Sequence, residues 1–159
     1  MMNASRLHPW LGAAALVLFF SSCSREEEVL NNVQINQIRL DHFSEVTGEG
    51  ENWDIFTTYP DIFVKIYRGT QLVYTSPSYD ECQNQNIYTY DQGLPVYLNF
   101  PNETYSVAIY DYDSTSEDEF MGGFEFKPAD HEGEEIIRLF SLTSEIEFSL
   151  FVDWNYVQE

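Results

Sequence analysis

The stretch "EIEFSLFVDW" (145–154) places Ile146, Phe148, Leu150, Val152 and Trp154 at every second position. A period of two sends successive side chains to opposite faces of an extended chain, so this segment has one apolar and one polar face. The same period runs through most of the chain. "VQINQIRL" (33–40) alternates Val33 and Ile35, then changes phase to Ile38 and Leu40. A one-residue phase change is what a β-bulge at Asn36-Gln37 produces. "DIFVKIYR" (61–68) turns at Gly69 and returns as "QLVYT" (71–75), a hairpin. "LPVYLNF" (94–100), "TYSVAIYDYD" (104–113), "FMGGFEF" (120–126) and "EEIIRLF" (134–140) follow, with turn residues between them. A short extra strand is expected at Ile87–Tyr90. No segment from 33 onward carries a helical period. These observations predict an all-β chain, an eight-stranded antiparallel β-sandwich over 33–156.

The first 22 residues are different. "LGAAALVLFF" (11–20) is an apolar run preceded by a single charge, Arg6. It is too short to cross a bilayer and suits the h-region of a secretory signal. "FFSSC" (19–23) resembles a bacterial lipobox, which implies that 1–22 are removed and Cys23 becomes the lipidated first residue. Polar "SREEEVLNN" (24–32) then reads as a tether, so 23–32 is a lipidated Cys with an acidic linker. The triple Glu26–Glu28 resembles the acidic signal that directs some Gram-negative lipoproteins to the outer face of the outer membrane. The expected location is therefore the bacterial outer membrane, lipid-anchored and exposed at the cell surface.

Loss of 1–22 removes Arg6 and no acid, which leaves 6 basic against 27 acidic side chains, a formal charge of −21. Such a surface excludes nucleic acid as a partner. Cys82 is then the sole thiol, so no intramolecular disulfide forms. Its surroundings, "DECQNQN" (80–86), hold no base that would create a thiolate.

The acids gather most closely in "YDYDSTSEDEFMGG" (110–123). Asp111 and Asp113 stand two apart at the end of a strand and point the same way. Two carboxylates about 4 Å apart repel by about 1 kcal/mol even in water, and a hard dication offsets this. Glu119, or its rival Asp118, returns to the site if 114–118 form a loop tip, and Ser116 adds a weaker oxygen. An EF-hand starting at Asp111 fails, because Ser116 stands where Gly is needed and Gly122 where Glu is needed. A glycosidase pair of carboxylates is conceivable but has no distinct acid and base. The plain alternative is a solvated acidic loop.

"PDIFVKIY" (60–67) together with "YSVAIYDYDSTSEDEFMGGFEF" (105–126) resembles the C2 domain family, calcium-dependent phospholipid-binding β-sandwiches. Asp61-Ile62-Phe63-Val64-Lys65-Ile66 is similar to the exit of the family's first calcium loop. Asp111, Asp113, Glu119, Phe120, Met121 and Gly122 follow the pattern of its third loop. The resemblance implies a C2-like fold in the circularly permuted, phospholipase-type topology, with Ca²⁺ held by Asp54, Asp61, Asp111, Asp113 and Glu119. The departures are Ile62 for the usual Pro, one extra residue between Asp54 and Asp61, and Glu119 for the usual Asp. Glu51 is the nearest substitute for Asp54. The basic patch some members use for phosphoinositides is reduced here to Lys65 and Arg68.

Three functions follow from this reading. The first is a surface-anchored module that binds a membrane, glycan or protein partner through calcium, with Trp53 and Phe56 as partner contacts unless they pack within their loop. The second is a calcium-independent adaptor of the same fold. The third, an enzyme, lacks support, since His42 and His131 fall on separate loops and no nucleophile-base-acid set is present. The chain is thus expected not to be an enzyme. "DST" (113–115) also resembles a short O-glycosylation sequon, which would place a glycan at Ser114.

Overall fold

The computed structural model describes residues 27–53, 59–113, 117–141 and 145–158. They form nine strands: β1 Glu28–His42, β2 Ile62–Arg68, β3 Gln71–Thr75, β4 Tyr88–Tyr90, β5 Val96–Leu98, β6 Tyr105–Asp111, β7 Glu119–Phe126, β8 Ile136–Ser141 and β9 Ile146–Gln158. One sheet runs β4-β1-β9-β8, with β5 beside β4 on the same edge of β1, and the other runs β3-β2-β6-β7. All pairings are antiparallel. The sandwich expected from the period of two is the fold. The ninth strand is the extra one expected near Ile87–Tyr90.

β1 and β9 are the backbone of the larger sheet. Their register shifts between Leu30 and Asn32, between Ile35 and Gln37, and between Leu40 and His42. Three bulges at five-residue intervals result, and the middle one is the bulge that the phase change predicts. Each bulge restores the inward phase, so Val33, Ile35, Ile38, Leu40 and Phe43 are all wholly buried. Without the middle bulge Ile38 and Leu40 would turn to solvent. Asn36 is fixed from both sides: Gln34 donates to its Oδ1 at 2.6 Å, and its own amide donates to Asp153 at 2.8 Å. The bulge also divides the outer edge of β1, where Val33–Ile35 pair with β5 and Ile38–Leu40 with β4.

β1 begins at Glu28, so residues 28–32, expected as the end of a tether, lie in the sheet. They pair with Asn155–Gln158, and Asn155 donates to Asn32 at 2.9 Å. Backbone pairing holds this segment even though its side chains are mostly polar, and the bulge at Asn31 hides its period.

The core lies between the two sheets. Val33, Ile35, Ile38 and Leu40 of β1 and Phe148, Leu150 and Val152 of β9 join Val64 and Ile66 of β2 and Val107 and Ile109 of β6 in one cluster. Each such buried side chain contributes about 1.5–3 kcal/mol relative to exposure. β7 approaches this core through a glycine pair. A methyl group at Gly123 would stand 2.4 Å from the Val107 carbonyl and 2.8 Å from Ala108 Cα, both backbone atoms that cannot yield. Gly123→Ala is therefore expected to destabilise by about 1–3 kcal/mol in urea unfolding. Gly48→Ala, with nothing within 4 Å, is expected to stay within about 0.5 kcal/mol.

Candidate binding end of the sandwich

Alternation along β6 sends Tyr105, Val107, Ile109 and then Asp111 inward, and all four are buried. Asp111 is wholly enclosed at the strand end, opposite Ile62 on one side and Glu119 on the other. The backbone N–H of Asp61 donates to Asp111 Oδ1 at 2.7 Å, and the Asp61 carbonyl accepts the Tyr112 N–H at 2.7 Å. The Asp61 carboxylate turns to the second long connection and accepts the Glu81 N–H at 2.7 Å. Glu81 has φ 49°, a left-handed conformation uncommon outside glycine, and the Asp61 carboxylate holds it there. Pro60 accepts the Cys82 N–H at 2.7 Å, and Ile62 exchanges two backbone bonds with Tyr79 at 2.8 and 2.9 Å. Residues 60–62, 79–82 and 111–112 are thus stapled together, with two aspartates as the staples.

Cys82 lies inside this staple, wholly buried, with its thiol donating to the Tyr79 carbonyl at 3.2 Å. Burial pushes the thiol up to about 11, which favours the neutral form and agrees with a passive rather than nucleophilic role.

The two long connections are also joined to each other. Glu45 accepts the Asn84 N–H at 2.7 Å. Within the first connection, Trp53 is half-buried and its indole N–H donates to the Ser44 carbonyl at 3.0 Å. That places Trp53 as a packing residue of its own loop.

Asp118 goes elsewhere. It pairs with Lys65 at 3.2 Å on the outer face of the smaller sheet. The Lys65 ammonium lies 4.7 Å from the Phe63 ring centre and 4.4 Å from that of Tyr110. Burial, with a hydrogen bond to Tyr67 as the next cause, pushes the Tyr110 phenol up to about 12. The period of two along β2 and β6 carries the signal for this cluster, since it sets Phe63, Lys65 and Tyr110 on one face. The partnership with Asp118 has no local signal.

Of the proposed calcium ligands, the structure joins Asp61 to Asp111 and sets Glu119, exposed, across from Asp111. Asp113 is half-buried two residues beyond the strand. Asp54, Phe56, Ser114, Ser116 and Cys23 lie outside the described residues. Among the described residues no three His, Cys, Asp or Glu side chains stand close enough to hold a metal ion. Calcium takes about 6–8 oxygens, so the described residues do not by themselves fit it. The two aspartates that meet have oxygens directed at backbone N–H groups.

No family model matches the sequence, and no curated protein matches it. Its structural neighbours are C2 domains. Human GIVD cytosolic phospholipase A2, in complex with methyl gamma-linolenyl fluorophosphonate, is similar with a TM-score of 0.50 at 10% identity, over 80% of this chain and 18% of that one. A structure described as that of a C2 domain covers 78% of this chain and 97% of its own, at 9% identity and TM-score 0.47. A C2 domain of plant Extended Synaptotagmin 1 gives 14% identity and TM-score 0.46 over 85% of this chain and 98% of that domain. The chain has a C2-like β-sandwich fold. The first strand leads into the long connection before β2, and the first and last strands are neighbours.

Two measurements test the staple. Asp111→Ala, which leaves the Asp61 N–H without its acceptor, is expected to cost about 1–3 kcal/mol in urea unfolding, while Asp113→Ala stays within about 0.5 kcal/mol. For Cys82 the folded thiol titrates above its ordinary value of 9.0, near 11. Its contribution is complete below pH 9 and is lost as pH rises towards 11, because the unfolded chain releases this proton first. Melting temperature is expected to fall between about pH 9 and 10, before unfolded tyrosines ionise, and Cys82→Ser is expected to flatten that part of the profile.

Proposed function

We propose that this chain is a lipid-anchored binding module of C2-like fold, tethered through Cys23 to the bacterial outer membrane and exposed at the cell surface. Its acidic end acts as a preorganised, calcium-independent surface for a protein partner. The observation that carries this reading is the use of Asp61 and Asp111 as acceptors for backbone N–H groups of neighbouring segments. Hydrogen bonds to ionised acceptors are stronger than neutral ones and order the loops without a metal. A formal charge of −21 after loss of 1–22 favours a partner with a basic face and steers its approach. The anchor reading rests on "FFSSC" and the acidic residues that follow it. In this reading the module binds and does not catalyse.

The calcium reading is kept as the second one, because Glu119 faces Asp111 across the β6–β7 pair and Asp113 stands two residues on. Bound there, with Asp54 completing the set, calcium would supply positive charge and vacant coordination positions for oxygens of a lipid, glycan or protein.

Calorimetric titration of calcium into residues 27–159, beside the Asp111→Asn, Asp113→Asn double variant, separates the two. The adaptor reading expects no saturable heat up to a few millimolar, above the dissociation constants of about 10⁻⁴–10⁻³ M common for extracellular sites. Saturable heat that the double variant lacks would replace it with the calcium reading. For the anchor, the full chain expressed in a Gram-negative host is expected in the membrane fraction, and Cys23→Ser is expected to release it.

A further inference from the structure

The two ends of the sandwich are built from different connections. At one end lie Glu45–Glu51, Asp61, Asp80, Glu81 and the acids after β6. At the other, β1 starts, β2 turns into β3, and residues 99–103 connect β5 to β6. This second end carries five exposed apolar side chains set among polar ones. Val29 pairs with Val157, and both line a groove of about 380 Å³ whose opposite wall is Asn99–Glu103. Phe100 continues from there into a second groove with Leu72 and Tyr97. These five side chains are 37–49% exposed, which is unusual for large apolar residues gathered in one place. Charges border it on more than one side, for the acidic segment 130–135 packs close by: the Ala129 N–H donates to the Pro101 carbonyl at 2.9 Å, and Glu132 lies beside Tyr156. The Arg68 guanidinium lies 4.1 Å from the Phe100 ring centre and 3.5 Å from Glu103, and Glu28 stands beside Val29.

We infer that this end rests on the bilayer that holds the acyl chains of Cys23, with the acidic end directed away from it. The inference builds on the anchor reading above. Only residues 24–27 lie between Cys23 and the start of β1, so five residue steps join them. Five residues span at most about 17 Å, so the apolar end cannot leave the vicinity of the anchoring membrane. β1 itself has 15 residues, three of them taken up by bulges, a length of about 40 Å at ~3.3 Å per paired residue. The tether is therefore too short to stand the domain upright on its acidic end. Rings such as Tyr97 and Phe100 suit an interfacial position, where one side meets lipid and the other water. A bilayer is also the one apolar surface that the chain keeps at high local concentration whatever else is present.

The test uses the full chain from a host that acylates it, reconstituted into phosphatidylcholine vesicles with and without brominated acyl chains. Asn99→Cys, beside the patch but outside its five apolar residues, and Glu49→Cys, on the acidic end, are each labelled with bimane. Cys82 is buried and unreactive, and intact mass first establishes whether Cys23 is acylated. The expected result is several-fold quenching of the label at position 99 by brominated lipid and none at position 49. Leu72→Glu, Phe100→Glu is expected to abolish the quenching while the protein stays in the membrane fraction. Quenching at 49 in place of 99, or none at either, overturns the orientation and leaves the anchor standing. A label at 99 that is shielded from aqueous iodide yet not quenched by lipid also overturns it, in favour of a protein cover such as a second copy. An unmodified Cys23 removes the anchor, and the orientation with it.

Discussion

The pairing of the first strand with the last holds this fold together. β1 and β9 run side by side from Glu28 opposite Gln158 to His42 opposite Glu147, and every other strand of the larger sheet is hung on one or the other. β4 and β5 are three residues each, too short to persist alone, and they divide between them one edge of β1. β8 closes the opposite edge against β9. This arrangement works only because β1 is bulged at regular intervals. A long strand with an unbroken period would twist away from two successive partners, whereas each bulge bends it and returns its apolar residues to the core.

Charge is disposed with similar economy. A chain so acidic folds against its own repulsion, and the structure gives several acids a defined task. Asp111, fully enclosed, fixes the start of β2, and Asp61 passes the constraint on to Glu81. Asp118 meets Lys65, which is itself held over Phe63 and Tyr110. Asp41 accepts from Ser149 at 2.6 Å and pairs with Arg39 on the far sheet. Acids that a sequence presents as one cluster are thus separated by the fold into different roles.

Much of this architecture was legible in the sequence, for a physical reason. Strands with one buried face advertise themselves by alternation, and so β3, β6, β8 and the core of β9 fall where the period of two puts them. The bulge at Asn36 was legible because apolar residues flank it on both sides. Those at Asn31 and Asp41 leave the same spacing, Leu30 to Val33 and Leu40 to Phe43, but it falls at the two ends of the segment 33–40 that reads as a strand. The inward direction of Asp111 follows from the same alternation that buries Val107 and Ile109, yet a carboxylate two residues from another reads more readily as a ligand at an open mouth. What could not be read was which backbone N–H would meet it, since that donor lies 50 residues away. The same holds for Asp118 and Lys65, 53 residues apart. Contacts between distant segments depend on the closed sandwich and leave no local record.

One property of β1 has a mechanical consequence. On a chain anchored at Cys23, the covalent path from the membrane to the far end of the domain is this single strand. Between its bulges the strand is already close to the full length its bonds allow. Tension between the anchor and anything held near Glu45 would therefore run along the polypeptide itself, while the ladder bonds to β9 lie across the pull and are not stretched by it. The sandwich would behave as a strut of fixed length, transmitting load without unravelling the sheet that surrounds it.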